Sequence, residues 1–183
     1  MIVKGPGIKP NSRAPGNVYL GDLLATFCDL TGVPVPETNE GTSFKPVLLG
    51  EKKTIRDTLY GVYNGGAKPG IRCVKQGDWK LIQYESSSSG TREIQLFNLK
   101  DNPDELLAEH HDPKVTAVTG VVPAENQVNL AKDPKYAEKL AEMQALLLAE
   151  MRRLEDPWRF WNQPDDSLTK PETAKPVDKK KKR

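Results

Sequence analysis

The sequence is poor in the residues that most often carry chemistry. Its 183 residues include two histidines, the neighbours His110 and His111, and two cysteines, Cys28 and Cys73. Adjacent side chains point about 100° apart on a helix, so the histidines do not chelate a metal as an i, i+4 pair would. Two cysteines are too few for a disulfide-dense scaffold or a structural zinc site. Serine-type and cysteine-type hydrolysis are disfavoured, because any catalytic triad would have to be built on this one histidine pair.

Long apolar runs are also missing. No stretch approaches the roughly 20 consecutive apolar residues that a membrane helix needs. Residues 1–7 show no basic region leading into an apolar region, as a signal peptide would. The hydrophobic fraction of 37% is nonetheless too high for a chain that is disordered throughout. The sequence therefore predicts a folded protein without a membrane span or a signal peptide, and it leaves the localisation open.

Positive charge is concentrated at one end of the chain. Residues 170–183 hold seven basic and two acidic residues, a net charge of +5, whereas residues 1–169 hold 20 basic and 23 acidic residues, a net charge of −3. A body that grips a polyanion has the opposite balance, which disfavours nucleic acid as a partner. No aromatic residue is interleaved with the run Lys179–Arg183. The composition thus favours a disordered, solubilising basic tail over 163–183 rather than a segment that binds nucleic acid or an anionic glycan.

Two helical segments are predicted near the start of the chain. Apolar residues recur at helical spacing from Tyr19 to Leu30, with Asn17 as the candidate N-cap and Gly32 as the residue that ends the helix. One further helical turn is predicted over 44–49. The first helix is strongly one-faced, so its apolar stripe requires a partner.

The hydrophobic period changes after Arg56. Strand-forming residues cluster in four segments separated by turn residues, at 59–63, 71–75, 79–84 and 92–99. These segments predict a small antiparallel sheet of about four strands. A short helix or turn is expected over 103–111, and proline and glycine predict an irregular stretch over 112–132.

The clearest helical pattern lies near the C-terminus. Asp133 is a candidate cap, Pro134 suits the first helical position, and Asp156-Pro157 ends the pattern. Its apolar stripe consists of Tyr136, Leu140, Met143, Leu147, Met151 and Leu154. The predicted fold is therefore α+β, with a long C-terminal helix packed on a small antiparallel sheet and a strand–loop–helix segment before it.

The segments 71–75 and 79–84, joined by the turn Gln76-Gly77-Asp78, are predicted to form a β-hairpin. Outside the histidine pair, this hairpin offers the main candidate for a binding site. Arg72, Lys75, Trp79 and Lys80 either line a site for an anionic ligand or form a buried tryptophan with alternating exposed cations. Cys28 and Cys73 fit small core residues better than nucleophiles.

Two further motifs do not point to a site. The glycines at 61, 65, 66 and 70 form no phosphate cradle, because no helix with a Lys–Ser/Thr pair follows them, and turn glycines explain them better. Asp165-Asp166 is most simply solvated. No catalytic, cofactor-binding or metal-binding residue is assigned from the sequence.

Several segments follow one another in a familiar order. They are Ile2–Gly7, Gly21–Gly32 (GDLLATFCDLTG) with Pro34 and Pro36, Gly41–Gly50 (GTSFKPVLLG), Arg56-Asp57 with Tyr60-Gly61, Gly77–Ile82 (GDWKLI) with Tyr84, Leu96–Leu99 (LFNL) with Asp101, Pro103 and Glu105, and Asn129–Ala131 before the capped helix. In this order they resemble the C-terminal portion of a sulfatase, a member of the alkaline-phosphatase-like sulfuric ester hydrolases. The resemblance covers roughly residues 1–160.

The resemblance carries expectations about domains and chemistry. It implies that 1–50 is a remnant of the family's large α/β domain and that 51–162 is its C-terminal subdomain. It also implies sulfate-ester hydrolysis by a formylglycine made within a Cys/Ser-x-Pro-x-Arg motif, with a divalent ion, usually calcium. Asp-Leu-Thr-Gly follows Cys28 and Val-Lys-Gln-Gly follows Cys73, so neither cysteine fits. The family's metal ligands belong to its upstream part, so no catalytic, cofactor or metal residue is carried over and no cofactor is expected to be retained in this chain.

Several functional hypotheses follow from this resemblance. The first is a C-terminal sulfatase portion that is inactive by itself. Its partner is the missing catalytic part, a separate catalytic chain, or a second copy that associates through the exposed face of the first helix. The alternative is a standalone interaction module that binds a sulfated polymer. The stretch 106–127 resembles an inserted loop that borders the substrate cleft. Family members are commonly periplasmic or secreted.

Overall fold

The computed structural model describes residues 1–165. The chain divides into two compact units, the first comprising Met1–Leu59 and the second beginning at Tyr60. Almost all of the segment predicted to be a disordered basic tail, 163–183, lies outside the described residues.

The first unit contains two helices joined by loops. Helix α1 spans Asp22–Thr31 and helix α2 spans Lys45–Leu48. As predicted, Gly32 ends α1 in the left-handed conformation, with a φ of 72°, and its backbone N–H donates to the Cys28 carbonyl. The predicted cap Asn17 is wrong. Helix α1 begins after Gly21, and the Asn17 amide instead donates to the Asp57 carbonyl, at 3.4 Å.

The second unit is built on a β-sheet. Strands β1 (Thr58–Tyr63), β2 (Pro69–Gln76), β3 (Trp79–Ser86) and β4 (Thr91–Asn98) form a four-stranded antiparallel sheet in sequence order. Strands β2 and β3 pair from Pro69 opposite Ser86 to Gln76 opposite Trp79, which confirms the predicted hairpin turn.

Each face of the sheet buries its own apolar cluster. Helix α4 (Ala137–Arg153) covers one face with Met143, Leu147 and Met151, which pack on buried residues of all four strands. These strand residues, with one residue from the segment after the helix, are Tyr60, Val74, Leu81, Leu96 and Phe160. On the other face, Leu107 packs with Ile82 and Phe97. The predicted packing of the long helix on the sheet is confirmed. The pleat sends successive side chains of each strand to opposite faces, so each face has apolar side chains to bury.

The free edge of β4 is closed by a side chain. Asn129 is buried; its amide donates to the Ile94 carbonyl at 2.7 Å, and its Oδ1 accepts from the Leu96 N–H at 3.0 Å. One asparagine side chain thus makes the pair of bonds that a further strand would make.

The short helix or turn predicted over 103–111 is present as a 3-10 turn at Ala108–His110. Two other predictions after the sheet need correction. The stretch 112–132 contains helix α3, Pro113–Thr119, in addition to irregular chain. Leu154, predicted on the buried stripe, is 43% exposed because α4 ends at Arg153. The cap at Asp133 is confirmed, and its side chain accepts from the Lys135 N–H at 2.9 Å, although a 3-10 turn at Pro134–Tyr136 comes before α4.

Candidate functional site

A buried ion pair lies at the centre of the second unit. The Arg72 guanidinium donates from Nε and Nη2 to the two carboxylate oxygens of Asp156, each at 2.9 Å. Its Nη1 donates to Asn64 Oδ1 at 2.8 Å and to the Pro69 carbonyl. Asp156 also accepts from the Tyr60 hydroxyl and, at 2.9 Å, from the Trp158 N–H. The pair joins the sheet to the chain that follows α4.

The titration of this network follows from its contacts. Burial by itself raises the pKa of Asp156, but the hydrogen bonds from Arg72, Tyr60 and the Trp158 N–H outweigh it, so the pKa lies below its ordinary value. Burial, together with the neighbouring Asp156 carboxylate, raises the pKa of Tyr60. Both groups are fixed in one protonation state near neutral pH, and their partners are fully engaged. The network therefore has the character of a structural clamp.

The first unit has a similar pair at Asp22. Its carboxylate accepts from both Nη atoms of Arg56, from the Tyr19 N–H at 2.6 Å and from the Thr42 N–H at 2.9 Å. Burial by itself raises the pKa of Asp22. The hydrogen bonds from Arg56 and from the two backbone N–H groups lower it by more, so the pKa lies below its ordinary value. Asp22 thus ties the start of α1 to the loops around it.

The predicted anionic site on the hairpin is not assembled. Arg72 and Trp79 lie on the sheet face that α4 covers, whereas Lys75 and Lys80 lie opposite each other on the other face. Arg72 is 1% exposed and committed to Asp156, and Lys80 donates to both oxygens of Glu105 at 2.7 Å. The alternative of alternating exposed cations is wrong for Arg72, which is the most deeply buried of the four.

The cysteines lie in packed surroundings, as predicted. Cys28 is buried on α1, and Cys73 packs against the cluster of Ile82 and Phe97, where burial raises the pKa of its thiol. The prediction of turn glycines is wrong for Gly61 and Gly70, which lie within β1 and β2. A Cβ at Gly61 would come to 2.8 Å from the Cys73 sulfur, so this close approach of two strands requires glycine.

The histidine pair borders a groove of about 490 Å³ in the second unit. Helix α3 and the chain on either side of it line the groove with apolar side chains such as Leu107, Val115 and Val121, and with His110 and His111. His110 Nε2 lies 3.5 Å from Glu93, and the ring of His111 lies within hydrogen-bond distance of the Thr116 hydroxyl, at 3.0 Å from Nδ1. The two rings have separate partners and do not converge on one point.

The predicted inserted loop is closed at its base. The Ala108 N–H donates to the Gln127 carbonyl at 2.7 Å, and Gln127 Nε2 donates to Asn102 Oδ1 at 3.0 Å. These bonds join the two ends of the stretch 106–127, which carries α3 and the groove. The stretch 106–127 is therefore a loop whose two ends are held together by hydrogen bonds.

Residues 1–165 offer no group of three or more His, Cys, Asp and Glu side chains placed to hold a metal ion. The calcium ion implied by the sulfatase resemblance would therefore find no cluster of three carboxylates within that range. None of the helices described for this chain is long and apolar enough to cross a membrane.

The apolar face of α1 is uncovered, as its pattern indicated. On the helix, Leu24, Phe27 and Leu30 are 48%, 58% and 40% exposed, and Leu20, just before its first residue, is 85% exposed. The opposite side of the helix is buried through Asp22, Ala25, Thr26 and Cys28. Spacings of three and four residues place the exposed side chains on one stripe of apolar surface.

Comparison with known proteins identifies the family. The model of the family described as N-sulphoglucosamine sulphohydrolase, C-terminal, matches residues 1–132. The chain belongs to this sulfatase family. It is 32% identical over 166 residues to the Delta 4,5-hexuronate-2-O-sulfatase of Bacteroides thetaiotaomicron, covering 86% of this chain and 29% of that protein.

Two further relatives extend the comparison. An uncharacterised protein of Haemophilus influenzae is 29% identical over 144 residues, covering 79% of this chain and 61% of that protein. Arylsulfatase K of Rattus norvegicus is 32% identical over 117 residues, covering 58% of this chain and 20% of that protein. The chain therefore spans less than two thirds of each of these relatives, and it corresponds to a C-terminal sulfatase portion.

Proposed function

We propose that this chain is the scaffold portion of a sulfatase that acts on sulfate esters of saccharides, and that it does not hydrolyse them by itself. The observation that carries the proposal is the combination of a C-terminal family match with a sequence that contains no Cys/Ser-x-Pro-x-Arg motif. The saccharide class comes from the relative named as a hexuronate-2-O-sulfatase. A formylglycine and a calcium ion would be supplied by another stretch of polypeptide.

The arrangement of the candidate groups supports inactivity of the chain alone. The two cysteines are packed, the two histidine rings have separate partners, and residues 1–165 hold no metal-ligating cluster. Catalytic groups that act as a unit leave little rate enhancement once several of them are missing.

The uncovered face of α1 supports docking with a catalytic polypeptide. Exposed apolar stripes on soluble proteins mark surfaces that another polypeptide covers. The hexuronate-2-O-sulfatase and the rat arylsulfatase K are each more than three times as long as the part that matches this chain, so they contain a large body outside the match. We assign that body as the partner of Leu20, Leu24 and Phe27.

A turnover assay tests the first half of the proposal. The purified 183-residue chain, incubated with a chromogenic aryl sulfate and calcium, should release no chromophore above the buffer rate, while a full-length arylsulfatase under the same conditions does. Hydrolysis that disappears in the variant His110→Ala/His111→Ala would show that the chain has an active site of its own and would contradict the proposal.

A further inference from the structure

Two pairs of a cation and an indole ring lie at one end of the sheet. Lys68 Nζ lies 5.3 Å from the ring centroid of Trp158, and Arg92 Cζ lies 5.5 Å from that of Trp161. The loops that follow β1 and β3 emerge at this end and are joined there, because the Ser87 N–H donates to the Lys68 carbonyl at 3.2 Å. We call Lys68, Arg92, Trp158 and Trp161 the indole–cation patch.

The backbone that carries the two indoles is held by neighbouring residues. The backbone N–H of Trp158 donates to the clamp residue Asp156, and Phe160, which is 1% exposed, anchors the chain between the two tryptophans in the core. The backbone N–H of Trp161 donates to Glu85 Oε2 at 3.1 Å, and Arg92 Nε donates to Glu85 Oε1 at 3.0 Å. A ligand would therefore not have to order the backbone of this segment, which lowers the entropic cost of binding.

The cations of the patch keep donors available. Arg92 is bound to Glu85 through Nε, and within residues 1–165 its two Nη atoms have no acceptor; its side chain is 57% exposed. Lys68 is exposed, and among the described residues its ammonium has no carboxylate partner. The hydroxyl groups near the β3–β4 loop pair with one another, Ser86 with Ser88 and Ser89 with Thr91. The two cations thus offer an anion several N–H donors at once.

We propose that the indole–cation patch binds a sulfated saccharide, with the sulfate oxygens at Lys68 and Arg92 and a sugar face against the indole edge. Pyranose rings expose apolar C–H faces, which suit an indole, whose body is apolar and whose tip is polar. Arginine presents a planar fork that fits an oxyanion with two oxygens. The choice of sulfated saccharide rests on the proposed function, and it places a substrate-holding surface on the scaffold portion.

Nucleic acid fits the patch less well. Each indole already has a cation of this chain over its ring, and the chain up to residue 169 has a net charge of −3. Proteins that hold single strands combine free aromatic faces with a positively charged groove. A short single-stranded DNA thus serves as the competing ligand in the test.

The test uses the three tryptophans as separate reporters. Trp158 and Trp161 belong to the patch, whereas Trp79 lies elsewhere, with its ring 5.8 Å from that of Tyr136. The ¹⁵N-labelled full chain is titrated with a heparin-derived tetrasaccharide at about 0.15 M salt, which screens long-range attraction by the basic tail. The indole N–H signals of Trp158 and Trp161 should shift with saturation, and that of Trp79 should stay in place.

Matched variants separate the patch from net charge. Lys68→Gln/Arg92→Gln should weaken binding at least about fivefold, because it removes both charge-assisted contacts. Lys135→Gln/Lys139→Gln removes two cations that also lie over aromatic rings, at Tyr136 and Trp79, and should change the affinity less than about twofold.

Several results would overturn the inference. They are equal weakening in both variants, equal shifts of all three indole signals, no shift of Trp158 and Trp161 at saturation, or equal affinity for the desulfated tetrasaccharide or for a DNA of the same charge. Because the readout is binding by this chain alone, the inference fails or stands independently of the turnover assay that tests the proposed function.

Discussion

The two units of the chain use the same polar device in different apolar surroundings. Each contains a buried aspartate that accepts two bonds from an arginine and further bonds from backbone N–H groups, Asp22 with Arg56 and Asp156 with Arg72. In the second unit the pair sits beside a core closed by α4, whereas in the first unit the outer face of α1 is exposed. A buried ion pair fixes loops, but it does not replace apolar closure, and the first unit lacks that closure.

Removing the arginine of the clamp should have the largest effect. Arg72→Ala leaves the Asp156 carboxylate buried without its charge partner, which we expect to lower the free energy of unfolding by about 3–5 kcal/mol. Urea unfolding followed by tryptophan fluorescence measures this, because Trp79, Trp158 and Trp161 all lie in the second unit.

A neighbouring lysine provides the control for this measurement. Lys75 lies on the same strand but on the other face, and its ammonium donates to the Gly77 carbonyl at 2.9 Å. Lys75→Ala should change the free energy of unfolding by less than about 0.5 kcal/mol. A loss below about 1 kcal/mol for Arg72→Ala would show that the clamp is not the central support of the second unit.

A leucine on α4 and a leucine on α1 should contribute very differently to stability. Leu147 on α4 is fully buried, so Leu147→Ala should lower the free energy of unfolding by about 2–4 kcal/mol through lost burial and the cavity it leaves. Leu24 on α1 is 48% exposed, and Leu24→Ala should cost less than about 0.5 kcal/mol. Hydrogen exchange of the amides in each helix measures the two effects separately. Equal costs would mean that the face of α1 is covered in the isolated chain.

The sequence allowed the sheet and the long helix to be predicted, because their periodicity is local. Helix α3 was missed for a physical reason. Pro113 and Gly120 suggested an irregular stretch, yet Pro113 occupies the first helical position and Gly120 the left-handed position after the helix. Asp112 accepts from the Lys114 N–H at 2.8 Å and caps the N-terminus of this helix. Proline and glycine here mark the two ends of a helix.

The role of Arg72 could not be predicted from local patterns. Its partner Asp156 is 84 residues away, and strand alternation alone presented Arg72 as an exposed cation. Asn129 is a similar case, since an isolated asparagine in the sequence does not reveal that it closes the edge of β4. Such residues are found by three-dimensional proximity, whereas the apolar stripe of α1 was visible in the spacing itself.

A chimaeric enzyme shows whether the face of α1 docks a catalytic polypeptide. Residues 1–165 replace the matching part of the Bacteroides thetaiotaomicron hexuronate-2-O-sulfatase, and release of sulfate from its hexuronate substrate is measured. The double variant Leu24→Glu/Phe27→Glu places two charges on the stripe of α1. Val118→Glu places one on α3, where Val118 is 88% exposed. We expect the chimaera and its Val118→Glu variant to be active and the double variant to lose activity; full activity in the double variant would mean that the face of α1 docks no catalytic polypeptide.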